Sequence, residues 1–305
     1  MSLLVLGSVA FDAIETPFGK TDKIIGGAAT YVVYTASYFV NPVNLVAVVG
    51  EDFPQDTIAD MNKRGVDTEG LEIRQGEKSF FWSGRYHQDM NSRDTLVTEL
   101  NVMENFDPKI PDAYKKPEFV MLGNFDPDIQ ISVVDQLEEK PKLIAMDSMN
   151  LWMDIKMESV KKALKKIDLL TINDEEARQL SGEYSLRKAA RKIMDMGPDY
   201  LVIKKGEHGA LLFHGERIFF APALPLEEVF DPTGAGDSFA GGFIGHLAKT
   251  NDLSFENMKQ AVIYGSAMAS FTVEKFGVEQ LEDLNDDKIR SRATEFAKLV
   301  SFELS

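Results

Sequence analysis

The sequence predicts a three-layer α/β fold, in which helices cover both faces of a mostly parallel central sheet, together with a small additional β-sheet. Short apolar runs rich in β-branched residues alternate with helix-like runs along the chain. These runs show no polar–apolar alternation, as expected for strands that are buried on both faces. One aromatic-rich region, residues 79–102, breaks the rhythm. Ligands of such sheets bind at the carboxyl ends of the strands, so a site is expected there.

The central strands are predicted at six apolar runs: residues 3–9, 43–49, 118–122, 142–146, 168–172 and 200–204. Helical patterns follow most of them, at residues 27–39, 54–64, 128–139, 156–166, 174–181 and 185–196. Three more helices are predicted near 235–249, 256–275 and 286–302. No linker or repeat divides the 305 residues, so we expect a single domain.

The region that breaks the rhythm is predicted to form two antiparallel strands, residues 79–87 and 94–102, because no helix follows the first of them. Period-2 counting places three aromatic side chains on one face: Phe80, Trp82 and Tyr86. That apolar face is too large for an isolated ribbon. We expect residues 11–25 and 79–102 to form a lid that packs on the main domain or on the lid of a second copy, giving a homodimer.

Composition excludes several classes of partner. The chain has 33 basic and 49 acidic residues, a formal net charge of −16, so its surface should repel nucleic acid and anionic membranes. The absence of cysteine excludes disulfides and thiolate metal sites. The start, MSLLVLGSVAFD, resembles a buried strand rather than a signal peptide. We therefore expect a cytoplasmic protein, and a phosphorylated ligand would need a metal or backbone amides.

A glycine-rich segment, DPTGAGDSFAGGF at residues 231–243, places Asp237 directly after Gly234, Ala235 and Gly236. Backbone amides at a helix start lack partners and carry partial positive charge, and small residues let a phosphate approach them. We call residues 234–236 the anion turn. Asp237 would repel a phosphate unless it takes a proton from a hydroxyl that attacks the phosphate. The alternative is an ordinary turn with an acid in the first helical turn.

This segment resembles the C-terminal signature of the ribokinase-like (PfkB) carbohydrate kinase family. Other matches follow the family's order along nearly the whole chain: GSVAFD at 7–12, GGAAT at 26–30, VVGEDFPQD at 48–56, NDEE at 173–176 and KKGEHGA at 204–210. The resemblance implies a ribokinase-like sandwich with a small β lid. It also implies transfer of the ATP γ-phosphate to a hydroxyl of a small sugar or polyol, with Mg²⁺ as cofactor.

On this resemblance Asp12, Gly26 and Gly27 hold the acceptor. A carboxylate can accept from two sugar hydroxyls, and Asp12 ends the first predicted strand, where ligands of α/β sheets bind. The family's nucleotide loop corresponds to KKGEHG, which assigns nucleotide binding to three residues: Lys204, Gly206 and Gly209. Taken alone, the two glycines would be a plain turn, Asp12 an exposed loop acid and KKGEHG a β-turn.

The resemblance also assigns residues to metal ions and to the reaction. Asn173 and Glu176 would order the waters around Mg²⁺, although they also fit a helix N-cap and capping box. Asp231 and Thr233 match positions that ligate a monovalent cation such as K⁺ in some members, and otherwise they would cap a loop. Asp237 would deprotonate the acceptor hydroxyl while the amides of the anion turn hold the charge of the transferred phosphoryl group.

Departures from the family bear on the acceptor. Ala10 and Tyr31 stand where ribokinases have Asn, and Met149 and Leu151 replace polar residues of fructokinases and ketodeoxygluconate kinases. These changes disfavour ribose, fructose and ketodeoxygluconate. A nucleoside kinase of the same family is the nearest alternative, since Tyr31 could stack on a base. A non-catalytic sugar or nucleotide sensor is disfavoured, because a sensor has no need of Asp237.

Overall fold

The computed structural model describes residues 1–301, which form fifteen strands in two sheets and eleven α-helices. The strands are β1 (Leu3–Leu6), β2 (Ala10–Thr16), β3 (Gly19–Lys20), β4 (Ile24–Gly26), β5 (Val43–Gly50), β6 (Val66–Asp67), β7 (Leu71–Arg74), β8 (Phe80–Tyr86), β9 (Arg93–Glu99), β10 (Phe119–Leu122), β11 (Leu143–Asp147), β12 (Leu169–Asn173), β13 (Tyr200–Lys204), β14 (Ala210–His214) and β15 (Arg217–Ala221). The helices are α1 (Ala28–Ala36), α2 (Gln55–Lys63), α3 (Pro127–Asp135), α4 (Asn150–Ile155), α5 (Met157–Leu164), α6 (Asp174–Ser181), α7 (Leu186–Met194), α8 (Ala235–Thr250), α9 (Phe255–Thr272), α10 (Glu279–Glu282) and α11 (Asp286–Val300).

The large sheet contains ten strands in the order β15-β14-β13-β12-β11-β10-β1-β5-β6, and β7 also pairs with β5. All its pairs are parallel except β13–β14 and β14–β15, which are antiparallel. The carboxyl ends of β11, β12 and β13 therefore meet side by side, where a parallel sheet binds its ligands.

Two hydrophobic cores lie on opposite faces of this sheet. Because successive side chains of a strand point to opposite faces, Leu3 and Val5 enter one core and Leu4 and Leu6 enter the other. Helices α1, α8, α9 and α11 contribute to the first core, and α3 to α7 contribute to the second. The predicted three-layer arrangement is confirmed. Among residues 1–301, no helix is both long and apolar enough to cross a membrane.

The first predicted strand is shorter than expected. It was predicted over residues 3–9, but β1 ends at Leu6 because α1 lies directly over the chain at Gly7, where a Cβ would approach the Ala29 backbone nitrogen to 3.0 Å. The chain then enters the small sheet as β2. The prediction that Asp12 ends the first strand is therefore wrong, since Asp12 lies within β2. Strands β6, β7, β14 and β15 were not predicted.

The small sheet has the order β3-β2-β8-β9, with β4 paired to β2. It contains the two predicted antiparallel strands, as β8 and β9, but β8 also pairs in parallel with β2, which places Trp82 opposite Asp12. Phe81 packs against the first core and Tyr86 is buried. Every residue of β9 is exposed. Within the predicted apolar face, Tyr86 is buried and Phe80 and Trp82 are half-buried, whereas Phe81, which packs on the main domain, belongs to the opposite face by period-2 counting.

We expect the exposed edge of β9 to join two copies of the chain. Leu96 and Leu100 are 46% and 48% exposed, and an unpaired edge strand offers amides and carbonyls to a second strand. Wild-type protein should sediment as a dimer at micromolar concentration, and the double variant Leu96→Lys/Leu100→Lys as a monomer. Leu299→Lys, on α11 and equally exposed at 48%, is the matched control and should remain dimeric. A monomeric wild-type protein would show this expectation to be wrong.

Candidate active site

The anion turn forms the start of α8, a helix of 16 residues. Gly234 is the N-cap in the left-handed region (φ 75°), and a Cβ there would also overlap the Tyr31 ring, so the position requires glycine. The Ala235 amide donates to the Pro232 carbonyl at 3.2 Å, whereas the amides of Gly234 and Gly236 have no acceptor within residues 1–301. Two of the three predicted amides are therefore open to an anion.

Asp237 lies in the first turn of α8 and is half-buried. Desolvation, followed by the charge of Asp147, raises the pKa of its carboxyl group to about 7, although Lys204 and Arg93 lower it. A carboxyl group with a pKa near 7 changes protonation state at neutral pH, which is the range in which a general base is most effective.

Asp12 lies on β2 of the small sheet, close enough to Asp237 that the charge of Asp237 raises its pKa. Its carboxylate folds over Gly26, where a Cβ would overlap it, and the neighbouring Gly27 amide lowers its pKa. Gly27 has φ 92°, so both glycines are required by the fold. Burial raises the pKa of Asp12 to about 7, and the charges of Asp231 and Asp237 add to the shift. The structure thus brings Asp12, Gly26 and Gly27 to within electrostatic range of Asp237.

A cavity of about 650 Å³ lies between the anion turn and the KKGEHG loop. It is lined by the three predicted nucleotide-binding residues and two residues of the anion turn: Lys204, Gly206, Gly209, Ala235 and Gly236. Its other walls were not predicted. They come from residues 223–227, from α9, from Phe296 of α11 and from residues 88–91 between β8 and β9. Only the proline-containing run APALPLEEV, residues 221–229, offered a sequence signal, namely an apolar loop next to the glycine-rich segment.

Asn173 and Glu176 form a complete capping box at the start of α6. The Glu176 amide donates to Asn173 Oδ1 (2.8 Å), and the Asn173 amide donates to Glu176 Oε2 (2.7 Å). Burial, followed by the charge of Asp147, raises the pKa of Glu176 to about 7. The structure therefore contains the helix cap that was the alternative role for these two residues. The other carboxylate oxygen of Glu176, Oε1, takes no part in the capping box.

The carboxyl groups of this region suit Mg²⁺, which prefers oxygen ligands and keeps several waters. Asp147 raises the pKa of both Glu176 and Asp237, so the three groups lie in one electrostatic environment that a cation would relieve. Within the described part of the chain, no three acidic or histidine side chains are close enough to hold a metal by themselves. The residues fit an ion bound largely through water and phosphate.

Asp231 is fully buried and ties the loop before α8 to residue 277. Its Oδ1 accepts from the Thr233 amide (2.8 Å) and its Oδ2 from the Gly277 amide (3.1 Å). The loop-capping alternative is therefore present for Asp231 as well. The Thr233 hydroxyl in turn donates to the Tyr86 hydroxyl at 3.2 Å, a contact between the small sheet and the anion turn that the sequence did not predict.

The positions that depart from the family lie in different environments. Ala10 pairs with Gly26, next to Asp12. Tyr31 is fully buried with its ring beneath Gly234, so the suggestion that it stacks on a base is wrong. Its hydroxyl has no partner among residues 1–301. Leu151 is exposed on α4.

Comparison with known proteins gives matches over nearly the whole chain. Residues 2–284 match the family model described as pfkB family carbohydrate kinase. A cytidine kinase of Thermococcus kodakarensis is 29% identical over 281 residues, covering 91% of this chain and 98% of that protein. A nucleoside kinase of Methanothermobacter thermautotrophicus is 26% identical, covering 91% of each chain. The crystal structure of a putative ribokinase II from E. coli, in complex with ATP and Mg²⁺, has a TM-score of 0.80 at 17% identity, covering 96% of this chain and 99% of that one.

We predict that Asp12→Asn stabilises the unliganded protein at pH 8. The folded-state pKa of Asp12, about 7, lies above the ordinary 3.8, so its stabilising neutral form is present at low pH and lost as the pH rises through 7. Asn cannot ionise, so the variant does not lose this stability as the pH rises. The free energy of unfolding should increase by about 1–3 kcal/mol at pH 8 and by almost nothing near pH 4. The increase at pH 8 is smaller than the whole pKa shift of Asp12 would give.

Urea unfolding at both pH values measures this. Asp22→Asn, at an exposed acid of the segment that precedes β4, is the matched control and should change little at either pH. An Asp12→Asn protein no more stable than wild type at pH 8 would contradict the burial argument.

Proposed function

The chain belongs to the pfkB family of carbohydrate kinases, and within this family we propose an ATP-dependent kinase that phosphorylates a hydroxyl on the sugar of a nucleoside. One observation carries the proposal: two carboxyl groups with pKa values near 7, Asp12 and Asp237, lie close enough to interact electrostatically, and Asp237 directly follows the open amides of the anion turn. Such an arrangement can hold an acceptor hydroxyl between a binding carboxylate and a base, next to a phosphate.

A nucleoside is favoured over the free sugar or polyol that the sequence put first. The chain spans nearly the full length of relatives named as cytidine and nucleoside kinases. Half-buried Trp82 lies opposite Asp12 in the neighbouring strand, with its indole folded over Gly84. An aromatic wall beside the acceptor carboxylate suits a nucleobase better than a small polyol. A sugar remains the second candidate, because Asp12 can accept from two neighbouring hydroxyls of either.

In the proposed reaction, Asp237 accepts the proton of the acceptor hydroxyl while the hydroxyl oxygen attacks the γ-phosphorus. A bond forms between that oxygen and phosphorus, and the bond from phosphorus to the β–γ bridging oxygen breaks, releasing ADP. The Gly234 and Gly236 amides donate to the phosphoryl oxygens as charge spreads over them. Mg²⁺, held through water near Asn173 and Glu176, would neutralise phosphate charge.

In this proposal Asp231 positions the backbone before the anion turn and does not take part in the reaction itself. Its carboxylate fixes the loop that leads into the anion turn, and Thr233 connects the loop to Tyr86. A monovalent cation such as K⁺ beside Asp231 and Thr233 stays a prediction of the family resemblance.

The acceptor proposal predicts turnover with nucleosides. Purified protein with ATP and Mg²⁺ should release ADP when given cytidine or another nucleoside, with kcat/KM at least about tenfold higher than for ribose, fructose or inositols, since a stacked base contributes about 1–3 kcal/mol. Turnover with sugars alone would favour the second candidate. No turnover with any acceptor would favour a non-catalytic sensor.

The proton-transfer proposal predicts that Asp237→Asn lowers kcat by about 10²–10⁴, or about 3–5 kcal/mol in the barrier. Binding of ATP with Mg²⁺ should survive, because the change removes only a negative charge near the phosphates. Wild-type kcat/KM should rise with pH through about 7, as the base loses its proton. Asp56→Asn, an acid in the first turn of α2, is the control and should keep wild-type kinetics. Near-normal transfer by Asp237→Asn would rule out this mechanism.

A further inference from the structure

A lysine ammonium is fixed beside the anion turn. Lys204 ends β13, and its Nζ lies 2.6 Å from Asp147 Oδ2, with the two side chains only 16% and 6% exposed. Asp147 is itself held in place. Its Oδ1 accepts from the Ser148 amide (2.8 Å), and its carbonyl accepts from Gln130 Nε2 (3.0 Å). The ammonium therefore has one position set by the ends of neighbouring strands.

That position faces the phosphate site. A Cβ on Gly236 would lie 3.1 Å from Lys204 Nζ, and both residues line the 650 Å³ cavity. An ammonium has three N–H donors. Asp147 takes one, and within the described chain no other acceptor lies within hydrogen-bonding distance. Two donors thus remain next to the open amide of Gly236.

The local charge makes a cation necessary for a phosphate ligand. Asp147, Glu176 and Asp237 all lie in the field of Lys204. Arg93 of the small sheet is the other cation that acts on Glu176 and Asp237, and it is exposed. A triphosphate would otherwise enter a space dominated by carboxylates. A buried ion pair is an expensive way to stabilise a fold, which also favours a ligand-binding role.

We propose that the Lys204 ammonium binds the terminal phosphate of the nucleotide directly, and that Asp147 holds it against the anion turn. The inference rests on the proposed kinase function and deepens it, because the family resemblance assigned Lys204 through the backbone of its loop and gave Asp147 no role. The ammonium and the Gly236 amide would donate to oxygens of the same phosphate. The bond from the ammonium is charge-assisted and the bond from the amide is neutral.

Displacement of a fluorescent ADP analogue by ATP, ADP or AMP tests the proposal on the full chain. Lys204→Met should weaken ATP binding about 10- to 100-fold, as expected for loss of a charged hydrogen bond. ADP should lose less, and AMP, whose single phosphate lies farthest from the anion turn, should change less than about twofold. Lys165→Met, which removes the same charge at an exposed position after α5, is the control and should bind all three normally.

Lys204→Met leaves the buried Asp147 without its partner and could fail to fold for that reason. The double variant Lys204→Met/Asp147→Asn removes both members of the ion pair, so it leaves no buried Asp147 charge without its partner. It should fold, and it should still bind ATP more weakly than wild type with AMP affinity unchanged. Equal losses for ATP and AMP, or an ATP affinity like that of Lys165→Met, would overturn the inference alone. Absence of ATP binding by wild-type protein would overturn the proposed function together with the inference.

Discussion

The burial of negative charge in one cleft is the constraint on which the rest of this structure depends. Asp12, Glu176 and Asp237 each have a pKa raised to about 7, primarily by desolvation, and neighbouring carboxylates add to every shift. Each group is expensive to ionise where it lies, so the fold holds each one tightly: an amide for Asp12, a capping box for Glu176, and a lysine nearby for Asp237. Folding alone would not select this arrangement, since apolar residues of similar size would be more stable.

The topology explains why these groups meet. Asp147, Asn173 and Lys204 are the last residues of β11, β12 and β13, three neighbouring parallel strands, so their side chains emerge at one edge of the sheet. The start of α8 delivers Asp237 and the open amides to the same edge. Asp12 comes from the small sheet instead, because the chain leaves the large sheet after Leu6 and then forms β2. The carboxylate proposed to bind the acceptor therefore comes from the small sheet, whereas Asp147, Asn173 and Lys204 come from the large sheet.

Sequence patterns were sufficient for the large sheet and for the anion turn, because apolar runs buried on both faces and a glycine-rich helix start are both local signals. They failed where a residue's role depends on a distant partner. The resemblance assigns Gly26 to the acceptor, but the structure requires glycine there because the Asp12 carboxylate occupies the place of a Cβ. Tyr31 was read as a stacking surface, but it supports Gly234 from below. Asp147 was passed over because only its pairing with Lys204, 57 residues away, gives it significance.

The small sheet connects the two halves of the site, and this connection has a mechanistic consequence. Its strand β2 carries Asp12, Tyr86 of β8 contacts Thr233 beside the anion turn, and the residues between β8 and β9 line the cavity proposed to hold the nucleotide. An element that touches both substrate sites cannot move away from one without disturbing the other. Water competes with any acceptor for the γ-phosphate, so a cover that is complete only when both sites are engaged would favour transfer over hydrolysis. The Thr233–Tyr86 hydrogen bond links that cover to the loop of the anion turn, and the rings of Phe18 and Phe230 add a second contact, with centroids 6.0 Å apart. These contacts are the natural points at which closure and phosphate binding would be coupled.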